Sequence, residues 1–169
     1  RGWLQRLLCR LVFSRWIQRH RGCTSTSWSI MSVLVSHPTG NANLRAVLRG
    51  LSAVDLLQEF HTTLALPAGI TTRLGGFTGR GASLAQRVFA EAGSARVQSH
   101  PLRELVRQVA KRNRWLQLDK HERGWASIDA VYRSLDAFVA DRLRSVGNGK
   151  IRAVYAYEDG AKESFSAAR

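Results

Sequence analysis

The chain has 169 residues, which is enough for one domain with its own hydrophobic core. Its 44% hydrophobic and 22% charged residues are ordinary for a globular protein, and no apolar run approaches the roughly 18 residues of a membrane-spanning helix. Two cysteines, Cys9 and Cys23, are too few for a disulfide scaffold. The formal charge of +14 favours an anionic partner such as a phosphate, a nucleic acid or a membrane surface.

The first thirty residues differ from the rest in composition. They carry six arginines and no acidic residue, and the only methionine, Met31, follows them directly. We expect 1–30 to be a basic N-terminal extension outside the fold, and the domain to occupy 31–169. Three explanations of the extension compete: upstream sequence translated in frame, a basic helix on a membrane surface, or a targeting segment.

A strand–helix–strand unit is predicted after Met31. The apolar run 33–35 indicates a buried parallel strand, which ends at the turn-forming residues Pro38 and Gly40. Residues 44–54 carry apolar side chains at helical spacing, and 60–66 indicate a second strand that stops before a proline. This is the size of one βαβ unit.

The middle of the chain is predicted to be less regular. Residues 68–83 hold five glycines without the pattern of a phosphate-binding turn, which indicates a mobile loop. A helix is predicted over 84–92 and an extended segment over 96–99. A further helix opens at Pro101. Its predicted buried face consists of Leu102, Leu105, Val106 and Val109.

The longest predicted helix runs from about Trp125 to Val146 and ends at a Gly-Asn-Gly turn. Residues 151–157 indicate another strand, and a final helix is predicted to start at Asp159-Gly160. The alternation of strands and helices predicts an α/β fold. We expect a Rossmann-like, mostly parallel sheet with helices on both faces.

Functional side chains concentrate after the first predicted strand. An imidazole, a hydroxyl, a glycine, two amides and a guanidinium could together hold sugar hydroxyls or phosphate oxygens at a helix N-terminus. Alternatively, one polar residue simply caps the helix. The candidates are His37, Thr39, Gly40, Asn41, Asn43 and Arg45.

Two further candidate positions follow later in the chain. Glu158 and Asp159 end the last predicted strand, where they could act as a base or bind hydroxyls, or only cap a helix. Trp125 could stack on a sugar ring, although a core aromatic is the commoner role. The five histidines show no metal-binding spacing, and no metal site is predicted.

Over residues 31–169 the chain resembles the bacterial group-1 (family four) glycosyltransferases. Four stretches carry the resemblance: 31–45, 59–63, 121–127 and 154–161. The resemblance implies a GT-B enzyme with two Rossmann-like domains facing a cleft. This chain would be the acceptor-side domain, truncated before the sugar-nucleotide domain, and 31–169 alone would be inactive.

The resemblance also implies the chemistry. A sugar passes from a nucleotide-sugar donor to a glycan or lipid-linked acceptor, without a metal or other cofactor. Gly40 occupies the place of a glycine near the donor phosphates. Many relatives end the corresponding strand in a His-x-His-Asp type sequence, whereas this chain has Tyr155-Ala156-Tyr157-Glu158. The catalytic histidine is therefore absent there, and Glu158 or Asp159 is expected to take part instead.

A cytoplasmic location is expected, with peripheral contact to the inner face of the membrane favoured by the basic charge. One rival hypothesis is a nucleic-acid- or anionic-membrane-binding module without catalysis. No helix-turn-helix, RNP or zinc-ligand motif supports specific nucleic-acid binding. The other rival is a dinucleotide-dependent enzyme, which the missing G-x-G-x-x-G after the first strand disfavours.

Overall fold

The computed structural model describes residues 32–67, 86–146 and 150–169. Expectations for 1–30 and for the glycine-rich segment 68–83 lie outside these ranges. The described elements are β1 (Val33–Ser36), α1 (Ala42–Ser52), β2 (Leu57–Thr62), a 3₁₀ turn (Ala90–Ala92), β3 (Arg96–Ser99), α2 (Leu102–Arg112), α3 (Ile128–Val146), β4 (Ala153–Ala156), a 3₁₀ turn (Glu158–Gly160) and α4 (Lys162–Ala167).

The four strands form one sheet in the order β3-β2-β1-β4, and every pairing is parallel. From β1 the chain adds β2 and then β3 toward one edge. It then crosses back and pairs β4 with the other side of β1. The strand order therefore reverses between β1 and β4. The predicted α/β fold with a parallel sheet is confirmed.

Each face of the sheet has its own hydrophobic core. On one face, α1 packs its buried Leu44 and Leu48 with Val33, Val35 and strand β2. On the other face, Leu34 packs against Leu135 and Val139 of α3. Since neighbouring side chains of a strand point to opposite faces, β1 contributes to both cores and is buried throughout. Helices thus cover both faces, as predicted.

Strand β2 is displaced from its prediction: it spans Leu57–Thr62 instead of 60–66. A shift in register beside Val33 inserts one extra residue of β2 at its start, so Leu57 and Phe60 reach the same core. The start of this strand was not predicted from the sequence, because glutamate, which occupies position 59, has a low propensity for strands. In the fold, Glu59 is neutralised by Arg142 of α3, so it can occupy a buried strand position.

The helix predicted over 84–92 is wrong in its described part, 86–92, which holds a turn and the 3₁₀ turn Ala90–Ala92. The Arg45 guanidinium donates to the carbonyl oxygens of Gln86 at 2.7 Å and Val88 at 3.0 Å. An α-helix would need those same carbonyls for its own N–H groups. A side chain from α1 therefore replaces the helical hydrogen bonds.

Other boundaries differ less. The extended segment 96–99 is confirmed as β3, and the predicted strand 151–157 is shorter, as β4. Helix α3 starts at Ile128 rather than Trp125, because the Ser127 hydroxyl accepts from the Ala130 N–H at 3.2 Å and caps the helix. Helix α4 starts at Lys162, after the 3₁₀ turn.

The predicted buried face of α2 is wrong. The apolar residues Leu102, Leu105 and Val109 are exposed. The buried residues are Glu104 and Ala110 instead. The sequence rule assumes that an amphipathic helix buries its apolar side. Here the helix buries Glu104 and Ala110, and the apolar side is turned outward.

An ion cluster lies on the buried side of α2. The Glu104 carboxylate accepts two hydrogen bonds from Arg107, both 2.8 Å, and one from Gln108 at 3.0 Å. Arg87 approaches it to 3.5 Å. Burial opposes ionisation, but the hydrogen bonds from Arg107 and Gln108 outweigh it and lower the pKa of Glu104. The carboxylate is thus charged and fully engaged inside the fold.

Helix α4 has no cap of its own, since Ala161 at its start has no capping side chain. Asp136 of α3 supplies the cap. Its carboxylate accepts from the Glu163 N–H at 2.8 Å, the Ser164 N–H at 2.9 Å and the Ser164 hydroxyl. A negative charge at a helix N-terminus also interacts favourably with the helix dipole. One buried carboxylate therefore docks α4 on α3.

We predict that Asp136→Ala lowers the free energy of unfolding by about 2 kcal/mol, because three donors lose a charged acceptor in a buried place. Asp141→Ala, on the same helix, is the matched control. Asp141 is exposed and pairs with Arg144 at 2.9 Å, so its loss should cost less than about 0.5 kcal/mol. Urea unfolding of both variants measures the difference, and equal costs would contradict the capping role.

Candidate functional site

The carboxyl ends of β1 and β4 lie side by side where the strand order reverses. His37 follows β1 and Tyr157 follows β4, and their ring centroids are 4.8 Å apart. The Tyr157 N–H donates to the Ser36 carbonyl at 3.1 Å, which continues the strand pairing up to this point. Open parallel sheets bind ligands in the crevice at such a reversal. The two strand-end loops predicted separately from the sequence therefore meet.

His37 is held in a defined orientation. It is 4% exposed, and its Nδ1 accepts from the Thr39 N–H at 3.1 Å. Its Nε2 lies 3.4 Å from the Asn41 side-chain nitrogen. Asn41 cannot turn its oxygen to the ring, because that oxygen accepts from the Leu44 N–H at 2.7 Å as the cap of α1. The local network therefore constrains both ring nitrogens.

The protonation of His37 follows from these contacts. Burial lowers the pKa of His37, so the ring is neutral at neutral pH. A neutral imidazole has one acceptor nitrogen, which the Thr39 N–H already uses. The hydrogen must then be on Nε2, where the nearby Asn41 amide nitrogen cannot accept it. Among the described residues, the Asn41 amide is the side chain recorded within reach of Nε2.

Tyrosines and carboxylates form the other side of the crevice. The neighbouring Asp159 carboxylate raises the pKa of Tyr157, so the hydroxyl stays protonated. Tyr132 of α3 packs edge-on against Tyr157, with centroids 5.6 Å apart. Glu158 and Asp159 are exposed in the 3₁₀ turn and form no ion pair within the described ranges. The crevice thus combines one imidazole, two phenols and two carboxylates.

Two of the predicted site residues serve the scaffold instead. Arg45 is turned away from the crevice: it pairs with Glu91 at 2.8 Å and stacks on the Phe89 ring at 5.1 Å. These contacts give Arg45 a structural role, and its predicted role in ligand binding stays a prediction. Gly40 lies against Phe89, where an added Cβ would be 2.6 Å from the ring. Packing alone thus accounts for glycine at this position.

The remaining predicted residues take different positions. Thr39 is half-buried in the loop after β1, beside His37, and Asn41 caps α1 while it faces the imidazole. Asn43 is exposed on the first turn of α1. Capping therefore explains Asn41, as the alternative hypothesis held, while Thr39 stays next to the crevice.

Trp125 belongs to a different region. It is 46% exposed, and the guanidinium of Arg103 from α2 lies over its ring at 4.6 Å. Arg103 also donates to the Trp125 carbonyl at 2.6 Å. No contact joins Trp125 to His37 or Tyr157 in the described part of the chain. It is neither a core aromatic nor part of the crevice.

Sequence reasoning missed two sets of residues. Tyr132 is one apolar position among many in α3, and only the fold brings it to the end of β4. The second set is a buried network joining β2, β3 and α3. Its members are Glu59, His61, His100 and Arg142. The only sequence signal for this network was the presence of charged and imidazole side chains within and next to the predicted strands.

The network has a fixed direction of donation. Arg142 donates twice to the Glu59 carboxylate, and His61 Nε2 lies 3.1 Å from the same group. His100 Nε2 lies 3.3 Å from His61 Nδ1. Hydrogen bonds from Arg142 lower the pKa of Glu59, and burial lowers the pKa of His61. A carboxylate accepts only, so His61 donates from Nε2 and accepts at Nδ1.

Metal ligands do not cluster in the described ranges: no group of three or more His, Cys, Asp or Glu side chains could hold an ion there. An open groove of about 510 Å³ runs along the outer side of α3, next to Arg103. Its other lining residues include Arg133, Ser134, Phe138 and Asp141. None of these residues belongs to the crevice between β1 and β4.

We predict that Gly40→Ala lowers the free energy of unfolding by about 1–3 kcal/mol, because Phe89 is packed edge-on against Phe60 and cannot move aside. Gly50→Ala is the control. A Cβ added to Gly50 on α1 would meet no atom within 4 Å, so alanine there should stabilise by about 0.5–1 kcal/mol. Thermal or urea unfolding without any ligand measures both, and an unchanged stability of Gly40→Ala would contradict the packing role.

We predict that acid destabilises the fold through His100. Burial, followed by the neighbouring His61, lowers the pKa of His100 from 6.5 to about 4. Between these values the unfolded chain binds a proton that the folded chain does not. Stability is therefore complete above about pH 6.5 and falls as the pH drops toward 4.

His100→Gln keeps a side-chain N–H donor but cannot titrate. The full pKa change corresponds to about 3 kcal/mol, and partial exposure reduces the expected difference to about 1–2 kcal/mol. Urea unfolding at several pH values should therefore show a shallower loss for this variant than for the wild type. Identical slopes would mean that His100 is not the titrating group.

Comparison with protein-family models, with curated proteins and with solved structures finds no match to this chain. Function is therefore inferred from the residues of this chain and from their geometry. The strongest geometric element is the crevice in which His37 and Tyr157 meet at the reversal of strand order.

Proposed function

We propose that this chain is the acceptor-side domain of a glycosyltransferase of GT-B architecture. In the intact enzyme a sugar would pass from a nucleotide-sugar donor to a glycan or lipid-linked acceptor. The observation that carries the proposal is the contact of His37 with Tyr157 at the carboxyl ends of β1 and β4. The resemblance of 31–45 and 154–161 to family-four glycosyltransferases supports it, since these are the two stretches that form the crevice.

The groups in the crevice suit a sugar. Aromatic faces pack against the apolar faces of sugar rings, while hydroxyls need both donors and acceptors. The Nε2–H of His37 supplies a donor. The carboxylates of Glu158 and Asp159 supply acceptors. A neutral, buried imidazole favours an uncharged hydroxyl over a cation.

The two carboxylates have different roles in this proposal. Asp159 neighbours Tyr157 and keeps its hydroxyl protonated by raising its pKa. Glu158 has no such partner in the described ranges and can accept the proton of an acceptor hydroxyl, as a general base does. The donor phosphates would be bound mainly by a second domain. No metal or other cofactor is included in the proposal.

The rival hypothesis of an anionic-polymer binder rests on the charge of +14. Several arginines of the described domain are already engaged in internal contacts, which weakens it. They are Arg45 with Glu91, Arg103 with Trp125, Arg107 with Glu104, and Arg142 with Glu59. We propose no specific nucleic-acid partner. A cytoplasmic location with peripheral membrane contact is part of the proposal.

We predict that the chain binds simple sugars weakly and that His37→Ala reduces this binding about tenfold, since one hydrogen bond is worth roughly 1–1.5 kcal/mol. Saturation-transfer NMR with glucose, galactose, mannose and N-acetylglucosamine measures it. Tyr157→Phe should also weaken binding, because it removes the hydroxyl next to Asp159. Tyr155→Phe is the matched control, since Tyr155 is an exposed tyrosine of β4 and should leave binding unchanged.

Four results would count against the proposal. Absence of sugar binding, or binding that is equal in His37→Ala and Tyr155→Phe, would remove the crevice as an acceptor site. Sugar transfer by this chain alone would contradict its role as the acceptor side only. DNA binding that falls steeply with salt and persists without residues 1–30 would favour the rival hypothesis.

A further inference from the structure

Helix α2 exposes an apolar surface, which we call the α2 face. On the helix, Leu102, Leu105 and Val109 follow at spacings of three and four residues, so they share one side. The chain after the helix adds two more apolar side chains. The exposed fractions are 66% for Leu102, 46% for Leu105, 46% for Val109, 51% for Trp115 and 77% for Leu116.

Helix α2 ends in a left-handed turn directly before the exposed Trp115. The Trp115 N–H donates back to the Ala110 carbonyl at 2.8 Å, and Arg114 has the left-handed φ of 57°. In this type of helix C-terminus, the residue after the left-handed position donates a backbone hydrogen bond to the last helical turn. Arginine is costly in that conformation, whereas glycine is usual. The turn nevertheless retains a cation next to the exposed tryptophan.

The outward orientation of the α2 face is fixed from inside. Glu104, on the opposite side of the helix, is 2% exposed and bonded to Arg107. Rotation of the helix to bury Leu102 and Leu105 would expose this pair and separate the Glu104 carboxylate from Arg87, which lies 3.5 Å away outside the helix. The exposure of the apolar side is therefore a stable property of the fold.

Exposed cations surround the C-terminal end of the α2 face. They are Arg112, Arg114, Lys120 and Arg123. Lys111 is also exposed, 3.9 Å from Asp119, and Glu122 is the one fully exposed acid between 111 and 123. The region therefore joins leucine, valine and tryptophan side chains to an excess of positive charge. An occupant should offer both an apolar phase and negative charge.

We propose that the α2 face docks on the surface of an anionic lipid bilayer. Leu102, Leu105 and Leu116 would enter the boundary between headgroups and acyl chains. Trp115 would lie at the headgroup level, and the neighbouring arginines would contact lipid phosphates. The helix has eleven residues and is about 16 Å long. A helix of this length offers a small surface compared with the roughly 800 Å² that each partner buries in a stable protein interface.

No described helix is long and apolar enough to cross a membrane. The proposed contact is therefore peripheral. It locates the membrane contact of the proposed function, but it does not depend on sugar binding. It is tested without any sugar, so its failure would leave the crevice unaffected.

The experiment is sedimentation of the full chain with vesicles made of equal parts phosphatidylcholine and phosphatidylglycerol. Leu105→Gln combined with Leu116→Gln should weaken binding about tenfold or more, because two apolar side chains no longer enter the bilayer. Vesicles of phosphatidylcholine alone should bind the wild type more weakly. Val54→Gln combined with Phe165→Gln is the control, since these exposed apolar residues lie outside the α2 face and should leave binding within about twofold.

Equal binding of the two double variants would overturn the proposal, because another part of the chain, such as 1–30, would then carry the contact. Size-exclusion chromatography tests a second copy as the occupant. A dimer of the wild type that disappears in Leu105→Gln/Leu116→Gln would likewise overturn the bilayer proposal. Unfolding curves of both variants verify that the fold is intact, which is expected because all four positions are exposed.

Discussion

The pairing of β1 with β4 is the contact on which the rest of the structure depends. Ala153–Ala156 pairs in parallel with Val33–Ser36, although well over a hundred residues separate them. A parallel pair requires a crossover, and this one contains β2, β3 and three helices. Without it, the loop with His37 would face open solvent, and Tyr157 would have no partner ring. The candidate site is thus a product of topology more than of any single loop.

Buried carboxylates join the outer elements to this sheet. Glu59 connects β2 with α3, Asp136 holds α4, and Glu104 of α2 lies 3.5 Å from Arg87. A charge inside a protein is costly unless several donors compensate it, and each of these carboxylates has at least three hydrogen bonds. Such contacts are specific in direction.

This explains what the sequence could predict. Strand β1, helix α1 and helix α3 follow from local periodicity, because their partners are apolar and interchangeable. Strand β2 and the orientation of α2 do not, because Glu59 and Glu104 are acceptable inside only with particular arginines. Arg142 is far from Glu59 in the chain, and no local pattern links them.

The candidate site was predictable only in part. Both strand-end loops could be recognised from their polar residues, and Glu158 and Asp159 lie at the crevice. Their meeting required the strand order. Arg45 and Gly40 have partners in 86–92, a segment whose conformation depends on Arg45 itself. Because Arg45 determines the conformation of the segment that it contacts, its role could not be predicted from the sequence of either segment alone.

The cap that Asp136 provides has a consequence for the order of folding. A helix of six residues is too short to persist in water by itself, so α4 exists only while its amides have an acceptor on α3. The 3₁₀ turn Glu158–Gly160 lies between β4 and α4, and its two ends are anchored only after both have docked. Local opening of α4 would therefore free the C-terminal side of this turn, next to the carboxylates of the crevice.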